Sequence, residues 1–209
     1  MAQITIQPDA TAGKDSQIDS ISTTTNYGTD ANLSTGNDNT DGRTMRSPIQ
    51  FDLSPIPSNA TIISAVFTVK LSNNGNFRAS NNRVIRVYRL LRAWTEADVT
   101  WIKATGAVNW DTAGAGNTTT DREATDIGST TFNTTDLAGD DKAFTLTASA
   151  IQEMLTGGSF TNNGFLLKAD TETNDRYFWY SSDDGTPGNN PKLVIDYTTP
   201  EGYIGGKYW

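Results

Sequence analysis

The sequence predicts a single all-β domain, a sandwich or barrel carrying one short helix, and three observations support this. Short segments alternate apolar and polar residues with a period of two, as Ile49, Phe51 and Leu53 do with Gln50 and Asp52. Clusters of Thr, Asn, Ser, Asp and Gly separate these segments, and such residues favour turns because their side chains bond the local backbone or tolerate unusual φ. Only one stretch, near residue 150, has helical spacing and end signals. At 209 residues, with 35% apolar and 10% aromatic content, the chain has enough material for one sizeable core.

Taken in order, Gln3 to Gln7 and Gln17 to Ile21 read as short strands. The loop-rich stretch from Thr23 to Gly42 is expected to be an ordered meander, because Tyr27, Leu33, Gly28 and Gly36 punctuate it. Pro55 and Pro57 end the Ile49 strand before Ile62 to Leu71 resumes it, and Asn73, Asn74 and Gly75 signal a turn. Val84 to Leu91 is a strand with Ile85, Val87, Arg89 and Leu91 on its apolar side and Arg86 and Tyr88 on the other. Ala124 to Phe132 reads as a further strand or irregular edge, and Phe144 and Leu146 as another. A helix over Ala148 to Leu155 follows, with Ser149 and Gln152 as a capping box and Gly157-Gly158 as its stop. Gly164 to Ala169, Tyr177 to Ser181 and Pro191 to Tyr197 complete the strands. The domain therefore spans residues 1–198, and residues 199–209 form a Gly-rich aromatic tail.

Composition removes several functions. A formal net charge of −8 opposes nucleic-acid binding, which draws its affinity from Lys and Arg. The absence of cysteine and histidine removes disulfides, thiolate sites, Ser-His-Asp chemistry and imidazole metal ligation. No apolar run is long enough to cross a bilayer, and no secretory leader pattern opens the chain. Carboxylate chemistry survives, but nothing singles out a catalytic pair, so a non-catalytic protein is expected.

Three groups of residues are binding candidates. Lys168, Arg176, Tyr177 and Trp179 are candidates for an acidic glycan, through ring stacking and charge-assisted hydrogen bonds. Alternation puts Tyr177 and Trp179 opposite Phe178 and Tyr180, so one aromatic pair is expected at the surface. Tyr203, Ile204, Tyr208 and Trp209 in the tail are candidate assembly contacts. Calcium is an accessory alternative, with Asp9, Asp15 and Asp19, or Asp38 and Asp41, or Asp183 and Asp184, as oxygen donors; no cofactor is otherwise expected. Trp94, Glu96, Thr100 and Trp101 form either a sugar platform or, as the preferred reading, a loop locked over the core with Glu96 accepting backbone or hydroxyl donors.

The chain resembles the DNRLRE family, whose members include alginate-associated carbohydrate-binding modules and disaggregatase-related repeats. The resemblance rests on Asn26-Tyr27-Gly28, Arg46 before Phe51-Asp52-Leu53-Ser54-Pro55-Ile56-Pro57, Trp94-Thr95-Glu96 with Val99-Thr100-Trp101, Trp110, Phe144-Thr145-Leu146-Thr147, Asn163-Gly164-Phe165 and Pro191-Lys192-Leu193-Val194-Ile195. Pro48 departs from the pattern by interrupting a strand, and Gln50 by replacing a common Arg. The resemblance implies a jelly-roll-like β-sandwich with a binding or structural role. Two expectations follow. One is a virion-surface protein that decorates or cements a phage or similar particle, with protein partners and a homo-oligomeric state. The other is an extracellular carbohydrate-binding module for acidic polysaccharide, from a secreted bacterial protein.

Overall fold

The computed structural model describes residues 1–38, 40–72, 78–79 (backbone only) and 81–200. The expected tail contacts Tyr203, Ile204, Tyr208 and Trp209 and the turn at Asn73-Asn74-Gly75 lie outside the described residues. The strands are β1 (Ala2–Ile6), β2 (Ile18–Asp19), β3 (Asn32–Asp38), β4 (Arg43–Ile49), β5 (Thr61–Lys70), β6 (Arg78–Ala79), β7 (Arg83–Arg89), β8 (Gly128–Phe132), β9 (Asp141–Leu146), β10 (Phe165–Ala169), β11 (Asp175–Tyr180) and β12 (Lys192–Thr198), with helix α1 at Ala148–Glu153. They form two curled antiparallel sheets, the arrangement of an all-β, jelly-roll-like sandwich. The smaller sheet runs β1-β12-β5-β9; the larger runs β6-β11-β3-β4-β10-β7-β8, with β2 paired to β4.

The alternating faces meet between the sheets. From β5 and β12, Ala65, Phe67, Val69, Leu193 and Ile195 point inward, against Ile85, Val87, Phe165 and Leu167 from the larger sheet. Phe67 is central, stacked on Phe144 at 5.3 Å and edge-on to Phe51 at 5.5 Å. Burying each such ring contributes about 1.5–3 kcal/mol. Phe51 and Leu53 belong to this core without being in a strand, because Pro55 and Pro57 turn the chain before pairing can continue. Pro48 sits inside β4 at low cost. Its carbonyl accepts from the Ser16 N–H at 3.1 Å, so its missing donor also faces that short segment and not the β10 ladder.

The stretch from Thr23 to Gly42, expected to be a meander, contains a true strand, β3. Gly36 makes it possible: φ is +117°, and a Cβ there would stand 2.1 Å from the Asp175 carbonyl on β11. The helix begins where expected but is not held by the expected capping box. Thr147 is its N-cap without a side-chain cap bond, and Gln152 instead accepts from Ile62 N–H at 2.8 Å and donates to the Ala60 carbonyl at 2.9 Å. Gln152 therefore ties α1 to the start of β5. Arg89, on the apolar side of β7, is buried by pairing with Glu123 at 2.7 Å and Glu153 at 2.6 Å while donating to the Ala150 carbonyl.

The larger sheet is buried on both sides over much of its area. On its outer face Ile18, Tyr88, Leu90, Trp94, Val99, Trp110 and Leu166 form a second apolar cluster, covered by loops before β3 and between β7 and β8. Trp94 and Trp110 donate their indole N–H groups to the Asn163 and Thr100 carbonyls. Asp121, fully buried, accepts from the backbone N–H groups of Asp111, Thr112 and Asn117 and pairs with Arg92 at 2.9 Å, which organises the covering loop.

Candidate functional site

Where the covering loops end, the outer face of the larger sheet carries cations over aromatic rings. Arg46, on β4, makes a two-point contact to Glu172, Nε to Oε1 at 2.7 Å and Nη2 to Oε2 at 2.8 Å. It also donates to the Gly114 carbonyl at 2.7 Å and lies 5.1 Å from the centre of the Trp101 ring. Gly114 is required here, since φ is +76° and a Cβ would meet the Trp101 ring at 2.6 Å. Lys168, on β10, reaches Glu172 at 3.3 Å and stands in register with Arg86 on β7. Arg86 pairs with Asp126 at 3.1 Å, and Arg122 lies 4.4 Å over the Tyr88 ring with its Nε lacking a hydrogen-bond partner.

These charges feel one another. Burial lowers the Lys168 ammonium pKa, Glu172 raises it, and the nearby Arg46 and Arg122 lower it further. Burial likewise lowers Arg122, with Tyr88 and Glu172 opposing that shift and Arg46 adding to it. Burial alone would raise the Glu172 carboxyl, but the Arg46 hydrogen bonds and charge, with Lys168 behind them, hold it below its ordinary value. The arrangement is a cluster of four cations over aromatic rings, partly neutralised by Glu172 and Asp126.

The structure separates the four residues expected to bind glycan. Lys168 is in the cationic group just described. Arg176 is on the same sheet's outer surface but is engaged locally, 4.1 Å over Phe178 and paired with Asp38 at 3.3 Å. Tyr177 and Trp179 are core residues, 1% and 3% exposed, so the expected aromatic platform does not form. Tyr177 donates its hydroxyl toward the Asn81 and Phe132 carbonyls, and Trp179 packs between the sheets. Neither aromatic pair of β11 is at the surface, because Phe178 on the opposite face is buried as well and Tyr180 is half-buried. Alternation assumes one wet face, and in β11 both faces are buried, Phe178 lying beneath Arg176. In the segment from Trp94 to Trp101, Trp94 is buried and Glu96 Oε1 accepts from the Asp15 N–H at 2.7 Å, while Asn26 donates to the Glu96 and Val99 carbonyls.

A family model, the disaggregatase related repeat domain, matches residues 15–195, most of the chain. The chain belongs to the disaggregatase related repeat domain family. This corrects the DNRLRE assignment. Phe51, Leu53, Trp94, Val99, Trp110, Phe144, Leu146 and Phe165, which carried that resemblance, are all buried. Such residues record how the sandwich packs, and packing motifs do not separate families that share a fold. No curated protein matches the chain.

Within this disaggregatase related repeat domain, sequence reasoning missed Arg46, Arg86, Arg122, Tyr88 and Glu172 as members of one surface. A partial signal was present, since Arg86 and Tyr88 share the polar side of β7. Glu172 and Arg122 come from loops, where no periodicity reports facing. The acidic residues are also regrouped. Asp19 pairs with Arg43 at 2.8 Å, Asp38 with Arg176, and Asp9 accepts from the N–H groups of Thr11 and Ala12 in its own turn. Asp15 and Asp183, drawn from two of the expected groups, meet instead with Glu96.

Among the described residues, no helix is long and apolar enough to cross a membrane.

Proposed function

We propose that this domain is a non-catalytic carbohydrate-binding module for acidic polysaccharide, docking its ligand on the outer face of the larger sheet. The observation that carries the reading is the gathering of Arg46, Arg86, Arg122 and Lys168 around the Tyr88 and Trp101 rings, on a chain with a formal net charge of −8. Glu172 and Asp126 pair with three of these cations, and the positive charge left over on an otherwise acidic protein favours an anionic ligand locally. Guanidinium groups grip carboxylates in two-point contacts, as Arg46 does with Glu172, and a polymer of uronic or sulfated sugars offers such groups at regular intervals. Trp101, half-buried beside Arg46, provides the apolar surface on which a pyranose ring packs, while Tyr88 is buried beneath Arg122 and supports that cation from below.

The test is electrophoretic retardation of the full chain in gels containing alginate, as an acidic probe, or a neutral glucan. Retardation in alginate only, weakening with added salt and lost in an Arg86→Ala/Arg122→Ala double variant, is expected. Equal mobility in both gels, or retardation unchanged in the double variant, overturns the reading. Sedimentation of the same samples addresses the assembly alternative, which draws on residues 201–209. A discrete oligomer without alginate retardation would make assembly the leading interpretation.

A further inference from the structure

We propose that Asp15, Glu96 and Asp183 form a calcium site that fastens the N-terminal segment to two loops. The three residues come from distant parts of the chain, and their ligand oxygens all lie within 4.8 Å of one another. Calcium binds oxygens at about 2.3–2.6 Å, so donors on opposite sides of one ion stand about 5 Å apart, the spacing seen here.

A second observation points to a ligand. Asp15 is only 1% exposed, and its two oxygens are treated differently. Oδ2 accepts from the Ser182 N–H at 3.0 Å, whereas Oδ1 has no hydrogen-bond partner. Ser182 Oγ is buried beside the Asp15 carboxylate and interacts with it without forming a well-aligned hydrogen bond. A buried carboxylate oxygen left in this way is costly, and a cation among the three carboxylates satisfies it.

The surrounding charges agree. Among the described residues none of the three carboxylates is in an ion pair, while most other buried or half-buried acids are. Lys14 is the nearby cation; its charge acts on Glu96, but it forms no ion pair with it, its ammonium lying 4.4 Å over the Trp94 ring and donating to Gln50. Without imidazole or thiolate donors the set suits a hard, oxygen-seeking ion. Donors on separate loops suit calcium's flexible coordination better than the strict octahedron of magnesium. The near-complete burial of Asp15 also closes it to a polymeric substrate, which argues against the cluster acting as a general acid.

The site does not depend on the glycan reading. The test uses the full chain, stripped with chelator, at mildly alkaline pH where carboxylates are ionised. Calcium chloride is titrated by calorimetry, and thermal unfolding is followed in parallel. Saturable binding of one calcium per chain, with a matching rise in the unfolding midpoint, is expected. Asp183→Asn, in a partly exposed loop, and Glu96→Gln are each expected to keep the wild-type circular dichroism while weakening calcium by about tenfold or more, as loss of a charged ligand should. Absence of saturable binding at millimolar calcium, or unchanged affinity in both variants, overturns the site.

Discussion

Replacing Arg46 with Met tests whether the outer face is held by buried electrostatics or only decorated by it. The Arg46 and Glu172 side chains are 12% and 17% exposed, so solvent screens the pair weakly. Arg46→Met keeps much of the side-chain volume but removes both bonds to Glu172, the bond to the Gly114 carbonyl and the cationic partner of Trp101. Lys168, at 3.3 Å, is then the remaining ion-pair partner of Glu172. Breaking one side of a buried pair costs about 3–5 kcal/mol, and the residual exposure places this case near the lower end. For 209 residues, unfolding entropy of about 2.1 cal/mol/K per residue totals about 0.44 kcal/mol/K, so a loss of about 3 kcal/mol lowers the midpoint by about 7 °C.

The pH dependence carries a sign. In the wild type the folded Glu172 carboxyl is held below its ordinary value of 4.5, so its stabilisation is present above 4.5 and is lost as pH falls through the lower folded value. In Arg46→Met, burial is opposed by Lys168 alone, and the carboxyl rises. The stability gap between the two proteins should therefore be widest near neutrality and narrow below 4.5. Urea unfolding of both proteins at several pH values measures it. A gap that does not change with pH, or one under about 1 kcal/mol at neutrality, would refute the reasoning and mark the pair as an ordinary surface contact.

Two further substitutions separate core from surface. Trp179→Ala should destabilise the fold by about 3–5 kcal/mol, read as a lower unfolding midpoint, and leave alginate retardation of the folded protein unchanged; weakened retention with normal stability would restore Trp179 as a ligand contact. Gly36→Ala combines a φ of +117° with a Cβ placed 2.1 Å from the Asp175 carbonyl. It should cost at least about 2 kcal/mol in denaturant titration, and a neutral effect would mean that β3 and β11 readily move apart.

The strands were legible because alternation is local. Ile85 and Val87 on β7 and Phe144 and Leu146 on β9 are buried as their spacing requires. Gln152 shows where local reading fails: its position suited a cap, but neighbouring β5 offered unpaired backbone groups and won the side chain. Tyr177 and Trp179 show a larger failure. Period two separates them from Phe178 and Tyr180, yet it carries no information on whether either face meets water. Tertiary packing answers that: Tyr177 and Trp179 face the core between the sheets, and Arg176, paired with Asp38, lies over Phe178 on the other face.

Sequence alone therefore determined the all-β class, most strands, the short helix and the exclusion of thiol and imidazole chemistry, since composition and alternation are properties of the chain itself. The tertiary structure decided which charges meet. Arg46, Lys168 and Glu172 join across strands and a loop, and Asp15, Glu96 and Asp183 converge from three separate segments. The distance between charges, which sets both their energies and the ligands they can bind, is fixed only when the sheets pack and the loops close over them.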